Sequence, residues 1–155
     1  ESITKISFGF FSFGPWDEKL LTIEGAELSL NDIEHRILRP IWHDPRIHYA
    51  LNCASLGCPN LLPQAFTDLN TESLLELGAR DYINHPRGAN LQDDILILSK
   101  IYEWYQADFG GNEESVLLHL QQYSTKERLK SWPVDELKIE YQYDWRLNAA
   151  DSDKG

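Results

Sequence analysis

The sequence predicts an α+β domain, with short strands and about four helices packed around a small sheet. Three observations lead there. Segments with the period-2 alternation of a half-buried strand are interspersed with segments whose apolar residues recur at helical spacing. No βαβ unit repeats along the chain, which argues against a doubly wound sheet. The length of 155 residues, with 42% hydrophobic and 25% charged residues, suits one domain with a substantial core. No internal repeat, linker or low-complexity stretch marks a second one.

Taken in order, residues 3–13 are β-branched and aromatic with interspersed Gly, and predict a strand buried on both faces. Gly14-Pro15 is turn punctuation. Strands over 20–23 and 26–28 flank Glu24-Gly25 as a hairpin. Ser29 then opens a helix with Asp32 three residues on, where an acid suits the helix dipole. Leu30, Ile33, Ile37 and Leu38 share its face, and Pro40 is expected to stop it.

After the Asp44-Pro45-Arg46 turn, Ile47, Tyr49, Leu51 and Cys53 alternate with His48, Ala50 and Asn52, which predicts a strand over 47–53 with a helix as its competitor. A helix is expected over 71–84, ended by His85-Pro86 and Gly88, and a strand over 95–98. Ser99 caps a helix carrying Tyr102, Trp104, Tyr105 and Phe109, which stops at Gly110-Gly111. A further helix covers 113–123. Leu137, Ile139, Tyr141 and Tyr143 alternate into a closing strand that runs through Trp145. The single domain is expected over 1–148, with 149–155 a loose tail.

Charge narrows the partners. Fourteen basic against 25 acidic residues give a net charge of −11, and the densest basic run, 126–130, holds three basic residues around one Glu. Nucleic-acid and anionic-membrane binding both draw on clustered Lys and Arg, so neither is expected. Membrane insertion is not expected either, because no apolar run approaches the roughly 18 residues of a spanning helix. The chain opens at Glu1 and contains no Met, from which we expect an upstream segment or a removed leader.

The chemistry concentrates at Cys53 and Cys58, spaced C-x4-C with Gly57 between them and Pro59 after. Three readings stand side by side. The first is a short disulfide, which the spacing permits and which would stabilise the fold by ~2 kcal/mol through chain entropy. The second is a nucleophilic thiol at Cys53, with His35, His43 or His48 as base. A strand over 47–53 would put His48 and Cys53 on opposite faces, which counts against that pair. The third is a metal site of two thiolates and two histidines, for which neither a second cysteine pair nor an H-x3-H half is present. No metal or cofactor is expected.

Longer motifs surround this segment. Leu28-Ser29-Leu30-Asn31-Asp32-Ile33-Glu34-His35 with Leu38-Arg39 is one, and Asp44-Pro45-Arg46-Ile47-His48-Tyr49-Ala50-Leu51-Asn52-Cys53-Ala54-Ser55 with Cys58-Pro59 is another. Leu98-Ser99-Lys100-Ile101-Tyr102-Glu103-Trp104-Tyr105 with Asp108-Phe109, and Tyr143-Asp144-Trp145 with Leu147-Asn148, complete the pattern. Together they resemble the domain of unknown function 547 family over about residues 28–148. The resemblance implies no particular reaction. It marks Asn31, Glu34, His35, Arg39, Asp44, Arg46, His48, Asn52, Cys53, Ser55 and Cys58 as the polar residues to follow. Similarity to exported bacterial members implies a periplasmic or secreted home, with the cytoplasm as the alternative. It also implies a helical segment upstream of this chain, which would then be the larger, C-terminal part of the domain.

Two functions from different classes follow. One is a binding or scaffold domain whose loop is held by a Cys53–Cys58 disulfide, facing a protein partner or the upstream part of its own domain. The other is a thiol hydrolase or acyltransferase with Cys53 as nucleophile, His35 or His48 as base and Asn52 as orienting or oxyanion group. Asp44, Arg46, Glu34 and Ser55 are the candidate binding residues, although Asp44, Arg46, Asn52 and Ser55 also suit turns. Tyr102, Trp104, Tyr105 and Trp145 read first as core, with a pocket for a sugar or another planar face as the alternative. The substrate itself is not specified by the sequence.

Overall fold

A tight hairpin opens the described part of the chain. Glu24 and Gly25 both take positive φ, 49° and 82°, the conformation that suits a two-residue turn between twisted strands. They join β1 (Leu21–Ile23) to β2 (Ala26–Leu28) with Leu21 opposite Leu28, as expected. The computed structural model describes residues 15–133 and 138–148; the strand expected over 3–13 and the tail 149–155 lie outside them.

Ser29 caps the first helix as the sequence suggests. Its hydroxyl accepts the Asp32 N–H at 3.1 Å, and the Asp32 carboxylate accepts the Ser29 N–H at 2.8 Å and its hydroxyl at 2.9 Å. Two otherwise orphaned donors are thereby satisfied reciprocally. Helix α1 combines a wide π-helical segment, Asp32–Leu38, with the α-helical turn Arg39–Trp42. Pro40 does not stop it. A proline ring crowds the carbonyl one turn back and gives no N–H. The wide turn just before it, in which the Arg39 N–H reaches Glu34 O, accommodates the ring. The helix ends instead at His43, in the left-handed region at φ 51°.

The strand expected over 47–53 is not formed. Pro45–Tyr49 is a 3-10 helix, opened by Asp44, whose carboxylate accepts the Arg46 N–H at 2.9 Å. Pro45 at the first helical position presets φ for that turn. Ile47, His48 and Tyr49 are consecutive and all buried, so the apparent alternation reflected burial on several sides.

Helix α2 (Thr71–Asn84) packs across this turn. Then β3 (Ala89–Gln92) and β4 (Ile95–Ser99) form an antiparallel pair, and β5 (Lys138–Gln142) joins β4 in parallel, giving the order β3-β4-β5. β3 was not foreseen, since Asn and Gln are weak strand formers. Between β4 and β5 lie α3 (Ile101–Trp104), a 3-10 turn (Gln106–Phe109), α4 (Glu113–Tyr123) and α5 (Glu127–Lys130). The one helix expected before Gly110 is thus divided at Tyr105.

The core sits between the three-stranded sheet and α2 and α4. Leu96 and Leu98 of β4 meet Ala79, Tyr82, Ile83, Val116, Leu117 and Leu120. Tyr49 and Tyr102 are deep in it, and the Tyr49 hydroxyl lies 2.8 Å from His119 Nε2, so the buried phenol has a partner. The architecture is α+β, as predicted. No helix among the described residues is long and apolar enough to cross a membrane.

Candidate functional site: a disulfide-walled aromatic cleft

Cys53 and Cys58 are joined, with Cα atoms 6.1 Å apart. The loop between them is tied at many points. Asn52 Oδ1 accepts the Ala54 N–H at 2.8 Å while its Nδ2 donates to Pro59 O at 2.8 Å, so one side chain clamps both ends. Ala54 takes the left-handed conformation, φ 60°, to make the bend. The C-terminal segment runs alongside: the Leu56 N–H reaches Arg146 O, the Gly57 N–H reaches Asp144 O, and the Asn148 N–H reaches Ala54 O. From the core, the Tyr82 hydroxyl donates to Gly57 O at 2.7 Å.

Tyr143 stands directly behind the bridge. Its hydroxyl lies 3.1 Å from Cys53 Sγ, 3.2 Å from Cys58 Sγ and 2.9 Å from the buried Ser55 hydroxyl. The Cys53 N–H donates to Cys58 Sγ at 2.9 Å. Burial raises the Tyr143 phenol, outweighing its hydrogen bond with Ser55, so the phenol keeps its proton at neutral pH.

These groups line one side of a cleft of about 420 Å³. Its walls carry Trp16, Trp104, Tyr105, Tyr143 and Trp145, with Cys53 and Cys58 between them. Trp104, Tyr143 and Trp145 touch one another, with ring centroids 4.7–5.3 Å apart. Of the four aromatics read first as core, only Tyr102 is fully buried. Trp104 and Trp145 are exposed and Tyr105 half-buried, and all three face the cleft.

His48, also in the lining, belongs to a polar network. His48 Nε2 lies 2.7 Å from Asp108 Oδ2, and Arg39 grips both Asp108 oxygens, at 2.5 and 3.1 Å. Burial lowers the His48 pKa more than the Asp108 hydrogen bond raises it. Burial alone would raise Asp108, but the hydrogen bonds from Arg39 and His48 overcome it and hold the carboxyl low. The pair is therefore neutral imidazole and carboxylate. An acceptor-only carboxylate assigns the His48 proton to Nε2 and leaves Nδ1 as the basic nitrogen. The ring stacks on Tyr105 at 4.2 Å, and Arg39 lies over the same ring.

The predicted residues divide clearly. Glu34, His35, His48, Asn52, Cys53 and Cys58 all line the cleft. His48 and Cys53 share it because the 3-10 turn removes the opposite-face objection that a strand would have raised. His35 sits at the exposed rim, its Nδ1 3.0 Å from Arg39 Nη1. Ser55 lies beneath the bridge, not in the lining. Asp44 and Arg46 are elsewhere: Arg46 binds Asp44 and Glu72 and so fastens the 3-10 turn to α2. Asp108 and Tyr143 were not among the predicted site residues. Both stood inside quoted motifs, so the signal was present but had no residue-level pattern pointing to a role. Among the described residues, no three His, Cys, Asp or Glu side chains gather to hold a metal ion.

Residues 7–83 match the family described as "Protein of unknown function, DUF547". The chain belongs to that family. No curated protein and no solved structure matches it. The matched stretch of this DUF547 protein carries α1, the 3-10 turn and the disulfide loop. Trp104, Tyr105, Tyr143 and Trp145 lie beyond it, so the cleft joins the matched stretch to the remainder of the chain.

Proposed function

We propose that this DUF547 domain is a binding domain, and that its cleft takes a ligand with a flat body and a polar edge, such as a sugar ring or an aromatic group. The observation that carries the reading is the cleft itself. At about 420 Å³, it falls inside the roughly 300–1,000 Å³ common to small-molecule sites. Aromatic faces offer contact area at low entropic cost, and Glu34, His35 and Asn52 supply the few polar groups that orient a ligand. In this reading the Cys53–Cys58 bridge holds the wall in shape. An oxidising compartment, periplasmic or extracellular, suits such a bridge. A net charge of −11 supports a partner other than nucleic acid.

Titrating the full chain with indole, p-cresol, glucose and N-acetylglucosamine, while following tryptophan indole N–H signals by NMR, tests the reading. Saturable shifts at Trp104 and Trp145 are expected from at least one probe. If no probe moves either signal, or the Trp145 shift survives unchanged in Trp104→Ala, the cleft is not the binding site.

The His48–Asp108 pair supports a second reading, a thiol hydrolase or acyltransferase. Once the bridge is reduced, Cys53 would share the cleft with an imidazole oriented by a carboxylate, the pairing that activates a thiol. Iodoacetamide applied to reduced protein across pH tests it. A Cys53 that alkylates no faster than a free model thiol at neutral pH contradicts it.

A further inference from the structure

The surroundings of the two sulfurs are unequal, and that inequality has a chemical use. Both cysteines line the cleft, but Cys53 is half-buried whereas Cys58 is only 4% exposed. Cys58 Sγ alone receives the Cys53 N–H, at 2.9 Å, while the Tyr143 hydroxyl is within reach of both sulfurs, 3.2 Å from Cys58 and 3.1 Å from Cys53. Backbone and phenol donors aimed at a sulfur stabilise it as a thiolate. In thiol–disulfide exchange the sulfur that is attacked must be reachable, and the sulfur that leaves does so faster the better its thiolate is stabilised. Cys53 meets the first requirement and Cys58 the second.

We propose that the Cys53–Cys58 bridge is a redox-active disulfide that oxidises a dithiol presented in the cleft, with Cys53 as the attacked sulfur and Cys58 as the leaving group. A partner thiolate attacks Cys53 Sγ. The S–S bond of the bridge breaks, a mixed disulfide forms, and the bonding pair departs on Cys58 Sγ, held by the Cys53 N–H and the Tyr143 hydroxyl. The partner's second thiolate then attacks its own sulfur in the mixed disulfide, which releases Cys53 as a thiolate and leaves the partner with an internal disulfide. The two electrons come from the partner dithiol, whose two protons end on Cys53 and Cys58. A disulfide of low molecular weight, such as oxidised glutathione, restores the bridge by the reverse exchange. The Ser55 hydroxyl, 3.2 Å from Cys53 Sγ, is placed to donate to the released Cys53 thiolate.

The inference goes beyond the binding reading, and the two can fail separately: flat probes report on the aromatic walls, exchange reports on sulfur. The test incubates the folded full chain in glutathione redox buffers at pH 7, quenches with an alkylating agent and counts modified thiols by mass spectrometry. The bridge is expected to open and close reversibly while far-ultraviolet circular dichroism stays native. Peptide mapping should place the glutathione adduct of the wild-type chain on Cys53. Tyr143→Phe is expected to slow opening by about tenfold, the loss of one hydrogen bond to a charged leaving group. Ser55→Ala, which keeps the Tyr143 donor to Cys58, should slow opening less. A bridge that opens only on unfolding, or an adduct mapped to Cys58, would overturn the proposal, as would a Tyr143→Phe variant that folds and opens at the wild-type rate.

Discussion

Gly57 occupies a place with no room for a side chain. A Cβ there would stand 2.8 and 2.9 Å from the Tyr143 ring and 3.0 Å from Asp144 N. The ring is itself held against both sulfurs and Ser55, so it has little freedom to yield. Gly57→Ala is therefore expected to destabilise the fold by about 1–3 kcal/mol, the usual result of overpacking, read from the urea midpoint. A substitution within ±0.5 kcal/mol of wild type would show that the Tyr143 contact is loose.

His119 gives a prediction at the same scale. Burial pushes its pKa down to about 4 from the ordinary 6.5. In the unfolded chain it takes a proton as pH falls through 6.5; in the folded chain it resists until about 4. The stability it contributes is complete above pH 6.5 and is lost as pH falls from there to about 4. His48, also lowered by burial, acts in the same direction. An NMR titration should give His119 a midpoint near 4, with unfolding temperature declining over that range. A midpoint at the unperturbed value would contradict the burial account.

Among the elements, those with local signals were legible. Glu24-Gly25 announced a hairpin, and Ser29 with Asp32 announced a cap, because each depends on a few adjacent residues. The helices over 71–84 and 113–123 followed from apolar periodicity. Residues 47–49 read as a strand because consecutive buried side chains imitate alternation, and Pro40 read as a stop for a different reason. A proline restricts φ and removes a donor, and whether it ends a helix or sits within one depends on the width of the preceding turn. Ser29→Ala, which removes the cap hydroxyl, should cost about 1 kcal/mol. An unchanged unfolding temperature would mean that Asp32 and Lys19 suffice at that end, since their side chains are also paired.

Asp108 belongs to this scale too, because it joins α1 through Arg39 to the 3-10 turn through His48. Asp108→Asn removes the charge that both partners face, and we expect a loss of about 1–3 kcal/mol in urea unfolding. The His48 ring should also lose its fixed tautomer, visible in its 15N shifts. Retention of both stability and tautomer would leave the network without the role given to it here.

For the whole molecule, the fold class was legible but the pairing was not. Nothing local in residues 138–142 says that they lie parallel to β4, since parallel pairing is a long-range choice that brings Tyr143 to a loop 85 residues away. The same holds for the site. Cys53, Cys58, His35 and His48 stood out by residue type, whereas Asp108, Tyr143 and Trp145 became partners only once the chain had closed on itself. The core reading failed for Trp104 and Trp145, and Tyr105 both packs against the core and lines the cleft, because sequence spacing cannot separate a buried stripe from a cleft wall. Reducing the bridge removes a six-residue loop constraint and should lower stability by about 2 kcal/mol, read as a shift in the urea midpoint with native circular dichroism retained at zero denaturant.

The most direct test of the cleft is a crystal structure of the full chain soaked with whichever flat probe most strongly shifts the tryptophan signals. Density for that probe in the cleft, against the Trp104 and Trp145 rings and beside the Cys53–Cys58 bridge, is the required outcome. Density confined to other surfaces, or a cleft filled by its own side chains, would contradict it.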